Sequence, residues 1–195
     1  MKKTVLSLIL LALLALCGCD SCQVVRVADG KLHFSDYKTT DIPHWNDPEW
    51  TIFFFVRHAE KLDQSDNPDL SPEGYARAAK LGGIMENAGL NLVFATDKLR
   101  TQKTAEAVVI RAHTSPWSLY PREVAAETAW LQSQLTENRG KRIMVVGHSN
   151  TVPRMINKLM GPGTNLTDLN EENFSAFFVV ASRGLGQSEL ISKRY

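Results

Sequence analysis

The sequence predicts one α/β domain in which a mostly parallel central sheet lies between two layers of helices. After residue 50, short apolar runs alternate with segments of helical length, and this alternation is typical of parallel sheets with helices on both faces. The apolar runs are continuous rather than alternating in polarity, as expected of strands buried on both faces. A chain of 195 residues suits a single domain of this class.

The first run, residues 51–56, leads directly into Arg57 and His58. In α/β domains, ligands bind beyond the carboxyl ends of the strands, and this pair stands at such an end. A histidine can act there as nucleophile, base or acid near neutral pH, and Arg57 supplies a fixed positive charge beside it. We therefore expect a functional site at the end of this strand.

The remaining elements alternate along the chain. Ser71 and Pro72 suit the cap and first position of the helix that follows the first strand. The predicted helices and strands then occupy residues 71–87 (helix), 92–95 (strand), 97–113 (helix), 118–120 (strand), 121–138 (helix), 142–146 (strand), 151–160 (helix), 174–181 (strand) and 189–192 (strand).

Two further residues stand out against this framework. His148 follows the apolar run 143–146, so it lies at a strand end by the same argument as His58. Arg100 falls in the first turn of a predicted helix, where the helix dipole disfavours a cation. Residues that break a local rule are often functional. Both residues are therefore candidates for the same site.

Four segments occur in the order RHAE, LSPEGYARA, DKLRTQKTAEAV and GHSNT. Together they resemble the histidine phosphatase superfamily, also called the phosphoglycerate mutase-like family, over residues 51–161 and a closing strand. The resemblance implies the phosphoglycerate mutase-like three-layer fold. It also implies that His58 is the phosphate-accepting nucleophile and that Arg57, Arg100 and His148 complete its phosphate pocket. Ala59 stands where the first motif commonly has glycine.

The resemblance implies a metal-independent phosphatase, without a cofactor, that hydrolyses phosphomonoesters through a phosphohistidine on His58. A phosphohistidine-protein phosphatase and a phosphoglycerate mutase-type phosphotransferase are alternatives. The mutase is disfavoured because two strands and a helix already fill the segment between Arg100 and His148, where a long insertion would be needed. For the proton donor to the leaving group, Glu123 is favoured over Glu60 and Glu127, because it follows a strand at the same edge of the sheet.

Two different classes of function compete with this interpretation. A non-catalytic phosphate-binding lipoprotein would be expected to lose the nucleophile, which is present here. A serine hydrolase could use Ser149, since residues 147–151 resemble a G-x-S-x-G elbow. However, Thr151 replaces the final glycine, and no histidine follows Ser149 in the chain. The five histidines also lack the spacings of common metal sites.

The amino-terminal segment predicts export. Lys2 and Lys3 precede an apolar stretch, residues 5–16, of the length of a secretory signal. The stretch ends before Cys19 in a pattern that resembles a bacterial lipoprotein signal. We therefore expect a signal peptide over residues 1–18, a tether over 19–49, and the phosphatase domain over 50–195; the sequence leaves open whether the tether also forms a hairpin.

Composition and expected location together limit the classes of partner that the sequence predicts. The 22 basic and 21 acidic residues leave a net charge of +1, so no nucleic-acid partner is indicated. A lipid on Cys19 would anchor the protein to a membrane of the bacterial envelope, facing the periplasm or the exterior. The expected substrate is a small phosphorylated molecule, such as a sugar phosphate, an envelope glycolipid phosphate or another phosphoester.

Overall fold

The computed structural model of the protein describes residues 22–195. The predicted signal peptide and Cys19 therefore lie outside the described residues. Nine strands and four helices form within the described range. In chain order they are β1 (Val24–Ala28), β2 (Lys31–Phe34), β3 (Thr39–Asp41), β4 (Thr51–Arg57), α1 (Pro72–Met85), β5 (Leu92–Ala95), α2 (Leu99–Ala112), β6 (Ser118–Leu119), α3 (Val124–Glu137), β7 (Arg142–Gly147), α4 (Thr151–Met160), β8 (Ala176–Gly184) and β9 (Gln187–Arg194).

Six strands form the central sheet in the order β6-β5-β7-β4-β8-β9. The strands β6, β5, β7 and β4 are parallel to one another, whereas β8 runs antiparallel to both of its neighbours, β4 and β9. Successive side chains of β4 point to opposite faces of the sheet. Phe54 packs in a core with residues of α1 and α2, and Phe53 and Phe55 pack in a second core with residues of α3 and α4. The three-layer α/β/α architecture predicted from the sequence is confirmed.

The amino-terminal segment is more ordered than the predicted tether over residues 19–49. Strands β1, β2 and β3 form an antiparallel sheet, in which Asp29 and Gly30 make the first turn with positive φ angles of 54° and 75°. Val27 and Leu32 are fully buried in the same core as α1 and α2. An Asp-Gly pair between apolar residues is a strong hairpin signal, and the hairpin that the sequence left open within the tether is present.

No helix among residues 22–195 is long and apolar enough to cross a membrane.

Candidate active site

The two histidines meet because their strands are neighbours. In the parallel pair β4 and β7, Arg57 is in register with Gly147, so the next residues, His58 and His148, leave the sheet side by side. The backbone N–H of His58 donates to the Gly147 carbonyl at 2.9 Å, and the two imidazole centroids lie 5.4 Å apart. Adjacent parallel strands therefore bring the two histidines of the sequence motifs together.

Arg100 reaches this pair from the first turn of α2. Its Nε–H donates to Nε2 of His58 at 3.2 Å. Thr104, one turn further along α2, accepts from the backbone N–H of Ala59 and donates to the Arg100 carbonyl. The start of α2 is thereby joined to the segment that carries His58.

The tautomer of His58 follows from its partners. Nδ1 lies 2.7 Å from the carbonyl oxygen of Ala59, and since a carbonyl can only accept, Nδ1 must carry the proton. In the neutral ring, Nε2 is then unprotonated and presents a lone pair, which receives the N–H of Arg100. Nε2 is consequently the ring nitrogen of His58 that has an available lone pair.

Arg57 is almost fully buried, with 2% of its surface exposed. Its Nη1 donates to the carbonyls of Asn170 and Glu171, and its Nη2 donates to the Glu171 carboxylate at 2.8 Å. The guanidinium also lies over the ring of Phe174, 4.3 Å from its centroid. Its Nε–H has no partner among the described residues. A buried donor without a partner is costly, so this edge of Arg57 is suited to an anionic ligand.

His148 is held from the side opposite Arg100. Its Nε2 lies 3.0 Å from the hydroxyl of Thr96, and its Nδ1 lies 3.5 Å from Nη2 of Arg100. The backbone N–H of His148 donates to the hydroxyl of Thr151 at 2.9 Å. Both the ring and the backbone of His148 are thus fixed by threonine hydroxyls.

Both histidines are neutral at physiological pH. The pKa of His58 is lowered to about 3, mainly by burial; the charges of His148, Arg100 and Arg57 also lower it, and the hydrogen bond to Ala59 opposes them. Burial likewise lowers the pKa of His148 to about 3, with Arg100 and Arg122 as further causes. An unprotonated Nε2 on His58 is therefore available near neutral pH.

Two glycines of the motifs are required by close packing. A side chain at Gly147 would approach the hydroxyls of Tyr120 and Thr151 within 2.6 and 2.7 Å. A side chain at Gly74 would meet the Glu60 carbonyl at about 2.1 Å. Both glycines let neighbouring segments close around the histidines, which explains their presence in the GHSNT and LSPEGYARA segments.

These side chains surround an open cavity of about 510 Å³. Five cationic and two carboxylate side chains are among its lining residues: Arg57, His58, Lys61, Arg100, Arg122, His148, Ser149, Asn150, Thr151, Arg154, Asp168 and Glu171. All four residues predicted for the phosphate pocket are included. A second cavity of about 490 Å³ lies beside β8 and β9 and contains none of them.

The candidate proton donors do not reach this cavity. Glu123 lines a separate depression with Arg122 and Tyr120. The carboxylate of Glu60 is bound by Arg77, and that of Glu127 is buried against Arg154 and Lys158. The favoured assignment of Glu123 is therefore not supported, because α3 begins at Val124 and places Glu123 beside the cavity rather than in it.

Sequence reasoning missed the contribution of residues 168–174. The cavity carboxylates belong to Asp168 and Glu171, in a polar segment without regular structure between α4 and β8. Ionic attraction to Arg57 lowers the pKa of Glu171, which keeps its carboxylate ionised. The one available signal was the density of polar residues in this connection, which does not identify individual members of a site.

The hydroxyl of Ser149 donates to the carboxylate of Glu171 at 3.2 Å. No Ser149–histidine hydrogen bond is present in the described part of the chain, so the nucleophile–base pair of a serine hydrolase is not formed there. Residues 22–195 also contain no group of three or more histidine, cysteine or acidic side chains arranged to hold a metal ion.

Comparisons with known proteins agree with this geometry. The family model described as histidine phosphatase superfamily (branch 1) matches residues 53–124, a range that includes Arg57, His58 and Arg100. A search of curated protein sequences gives no match.

Several solved structures share the fold. The protein histidine phosphatase SixA, complexed with tungstate, has a TM-score of 0.62 and 20% sequence identity, covering 73% of this chain and 96% of SixA. A mycobacterial glucosyl-3-phosphoglycerate phosphatase has a TM-score of 0.62 and 10% identity, covering 74% of this chain and 99% of its own. A putative α-ribazole-5′-P phosphatase from Escherichia coli has a TM-score of 0.55 and 14% identity, covering 74% and 96%.

Proposed function

We propose that the chain is a member of the histidine phosphatase superfamily, whose family model matches residues 53–124, and that it hydrolyses phosphomonoesters through a phosphohistidine intermediate on His58. One observation carries the proposal. The hydrogen bond from Nδ1 to the Ala59 carbonyl leaves Nε2 of His58 as a lone pair, next to the cationic side chain of Arg100 and in a cavity open to solvent. This is the arrangement of a nucleophile for an anionic electrophile.

The cavity is suited to a phosphate dianion. The guanidinium groups of Arg57 and Arg100, both of which line the cavity, offer charge-assisted hydrogen bonds to phosphoryl oxygens. Cations outnumber carboxylates among the lining side chains. Phosphoryl transfer depends mainly on positioning and charge compensation, and these side chains supply both.

The reaction then proceeds in two steps. In the first, the lone pair of Nε2 forms a bond to phosphorus as the bond from phosphorus to the alcohol oxygen breaks, and the leaving oxygen takes a proton from water in the open cavity. The ring becomes cationic, and its Nδ1–H donates more strongly to the Ala59 carbonyl. In the second step, water attacks phosphorus and the phosphorus–nitrogen bond breaks. Inorganic phosphate leaves, and His58 returns to its neutral form.

A second candidate, a phosphohistidine-protein phosphatase, is favoured by the cavity's carboxylates. Glu171 is held ionised by Arg57 and so is unsuited to protonate an alkoxide. A site of this kind acts best on substrates whose leaving group needs little protonation. The open cavity also leaves room for a phosphate carried on a larger molecule. SixA, with which this chain shares its fold, is described as a protein histidine phosphatase.

Steady-state kinetics on a panel of phosphoesters and a phosphohistidine peptide test the proposal. Activity is expected to survive a chelator, to be inhibited by vanadate, and to be lost in His58→Ala. The exposed His113→Ala, at the end of α2, is the matched control. Full activity in His58→Ala would overturn the proposal. Phosphate binding without turnover in the wild type would instead support the non-catalytic alternative.

We further propose that the protein is an exported lipoprotein anchored through Cys19, and that it meets sugar phosphates or envelope glycolipid phosphates in the cell envelope. The support is the amino-terminal sequence, with its basic start, its apolar stretch and Cys19. Mass analysis of the membrane-extracted protein should show residues 1–18 removed and acyl groups on Cys19. Cys19→Ser should release the protein from membranes, whereas Cys22→Ser should leave it bound. A soluble, unacylated wild-type protein would contradict this proposal.

A further inference from the structure

The two ring nitrogens of His148 face different kinds of partner. Nδ1 faces Arg100, whose guanidinium can only donate. Nε2 faces the hydroxyl of Thr96 at 3.0 Å, and a hydroxyl can either donate or accept. Within residues 22–195, Thr96 is the only hydrogen-bond partner of Nε2. The protonation of this nitrogen is therefore coupled to the orientation of one hydroxyl group.

The hydroxyl of Thr96 belongs to a short buried chain. It lies 2.8 Å from the hydroxyl of Thr101, and both threonines are fully buried. The hydroxyl of Thr101 lies 2.7 Å from the Lys98 carbonyl, to which it must be the donor. Thr96 can therefore donate to Thr101 while it accepts from Nε2 of His148, which leaves Nδ1 unprotonated towards Arg100.

In the empty site Nδ1 of His148 is an acceptor, whereas a bound phosphate requires it to be a donor. Phosphoryl oxygens of a dianion only accept, so His148 contacts them through an N–H on Nδ1. If the ring stays neutral, Nε2 then becomes an acceptor, and the Thr96 hydroxyl can rotate to donate to it. Thr96 then no longer donates to Thr101, and the Thr101 hydroxyl, 2.8 Å away, can turn from the Lys98 carbonyl to donate to Thr96. The hydroxyl of Thr96 thus satisfies Nε2 in both states of the ring.

We propose that Thr96 is a positioning residue for phosphoryl transfer, whose hydroxyl orients the His148 ring and allows Nδ1 to change from acceptor in the empty site to donor when phosphate is bound. The inference rests on the proposed phosphatase function, because it concerns how His148 contacts the transferring phosphate. Thr96 itself does not line the cavity, so it acts only through His148.

Three variants separate this role from a merely structural one. Thr96→Val keeps the shape and removes the hydroxyl, and we expect it to lower kcat/KM about 10- to 100-fold, the range for loss of a supporting hydrogen bond behind a functional histidine. Thr96→Ser restores the hydroxyl and should restore activity. Thr51→Val is the control, since Thr51 is equally buried and donates to a backbone carbonyl at the opposite end of β4. It should lower stability without changing the kinetics.

Nitrogen NMR of the histidine rings, with and without inorganic phosphate, gives a readout that needs neither turnover nor a variant. In the wild type, Nδ1 of His148 should be unprotonated in the free protein and protonated with phosphate bound. An Nδ1 that does not change on phosphate binding overturns the inference, as does a folded Thr96→Val with wild-type kinetics. If the change at Nδ1 occurs in the wild type and is lost in Thr96→Val, but no phosphoester is turned over, the proposed function fails, while the role of Thr96 in orienting His148 towards bound phosphate stands.

Discussion

Arg100 lies where its own helix disfavours it, in the first turn of α2. Its Nε–H nevertheless donates to His58, which explains why the position tolerates a cation. We expect Arg100→Ala to lower kcat/KM by about 10²-fold or more, the scale of losing one preorganised donor. Arg100→Lys should recover little, because an ammonium lacks the planar fork. Steady-state kinetics check this, with Arg111→Ala on the same helix as control. Wild-type kinetics in Arg100→Ala would contradict the assignment.

The position of Glu123 outside the cavity leads to a prediction about leaving groups. Glu123→Gln should leave the hydrolysis of p-nitrophenyl phosphate and of an alkyl phosphate almost unchanged, because Glu123 lines a separate depression and not the cavity of His58. The wild type should strongly prefer the aryl ester, whose leaving group barely needs a proton. The two substrates are compared by kcat/KM. Asp168→Asn, which alters a carboxylate that does line the cavity, is measured in the same way for comparison. A selective loss of roughly 10²-fold with the alkyl ester in Glu123→Gln would restore Glu123 as the acid.

The helices and strands whose bounds the sequence predicts correctly are those in which the pattern of buried apolar residues determines the structure. The bounds of β5 and α4 agree with the predicted residues 92–95 and 151–160, because a continuous apolar run and an amphipathic helix followed by glycine leave few alternatives. The helix predicted from residue 121 instead begins at Val124. Residues before it stay extended, and Arg122 pairs with Asp97, a contact that local sequence does not reveal.

The same limit applies to the candidate site. Strand ends identify His58 and His148, since parallel neighbours share one edge of the sheet. The partners of Arg57 come from Asn170 and Glu171, more than 100 residues away in the chain. Contacts of that range depend on how the 168–174 segment packs, which no local pattern determines.

The contribution of the amino-terminal sheet to stability can be tested by substitution. Leu32 is fully buried in the main core, so Leu32→Ala should reduce the free energy of unfolding by about 2–5 kcal/mol. Tyr37, in the connection after β2, is 98% exposed, and Tyr37→Ala should change it by no more than about 0.5 kcal/mol. Urea unfolding of the two variants measures the difference. Equal, negligible effects would show that residues 22–49 behave as a tether after all.

For the whole molecule, the two neutral histidines make stability depend on pH. The pKa values of His58 and His148 are lowered to about 3 in the folded protein, against about 6.5 in the unfolded chain. The unfolded state therefore binds more protons between these values. Stability is fully present above about pH 6.5 and falls as the pH drops towards 3, by up to about 1.4 kcal/mol per pH unit for each histidine.

Urea unfolding between pH 4.5 and 7.5 checks this dependence. The double variant His58→Asn, His148→Asn should show a clearly flatter profile than the wild type, because asparagine does not titrate. His113→Asn, at the exposed end of α2, should keep the wild-type slope. An identical slope in the wild type and the double variant would contradict the assignment of both lowered pKa values.

The central claim is that Nε2 of His58 accepts the phosphoryl group. Rapid quenching of the protein with a ³²P-labelled phosphoester, followed by peptide mapping, tests it most directly. Label is expected on the peptide that contains His58, stable to alkali and released by acid, as expected of a phosphorus–nitrogen bond. The label should be absent in His58→Ala and present in His113→Ala. Turnover without a labelled intermediate, or label on Ser149 or on any residue other than His58, would contradict the account.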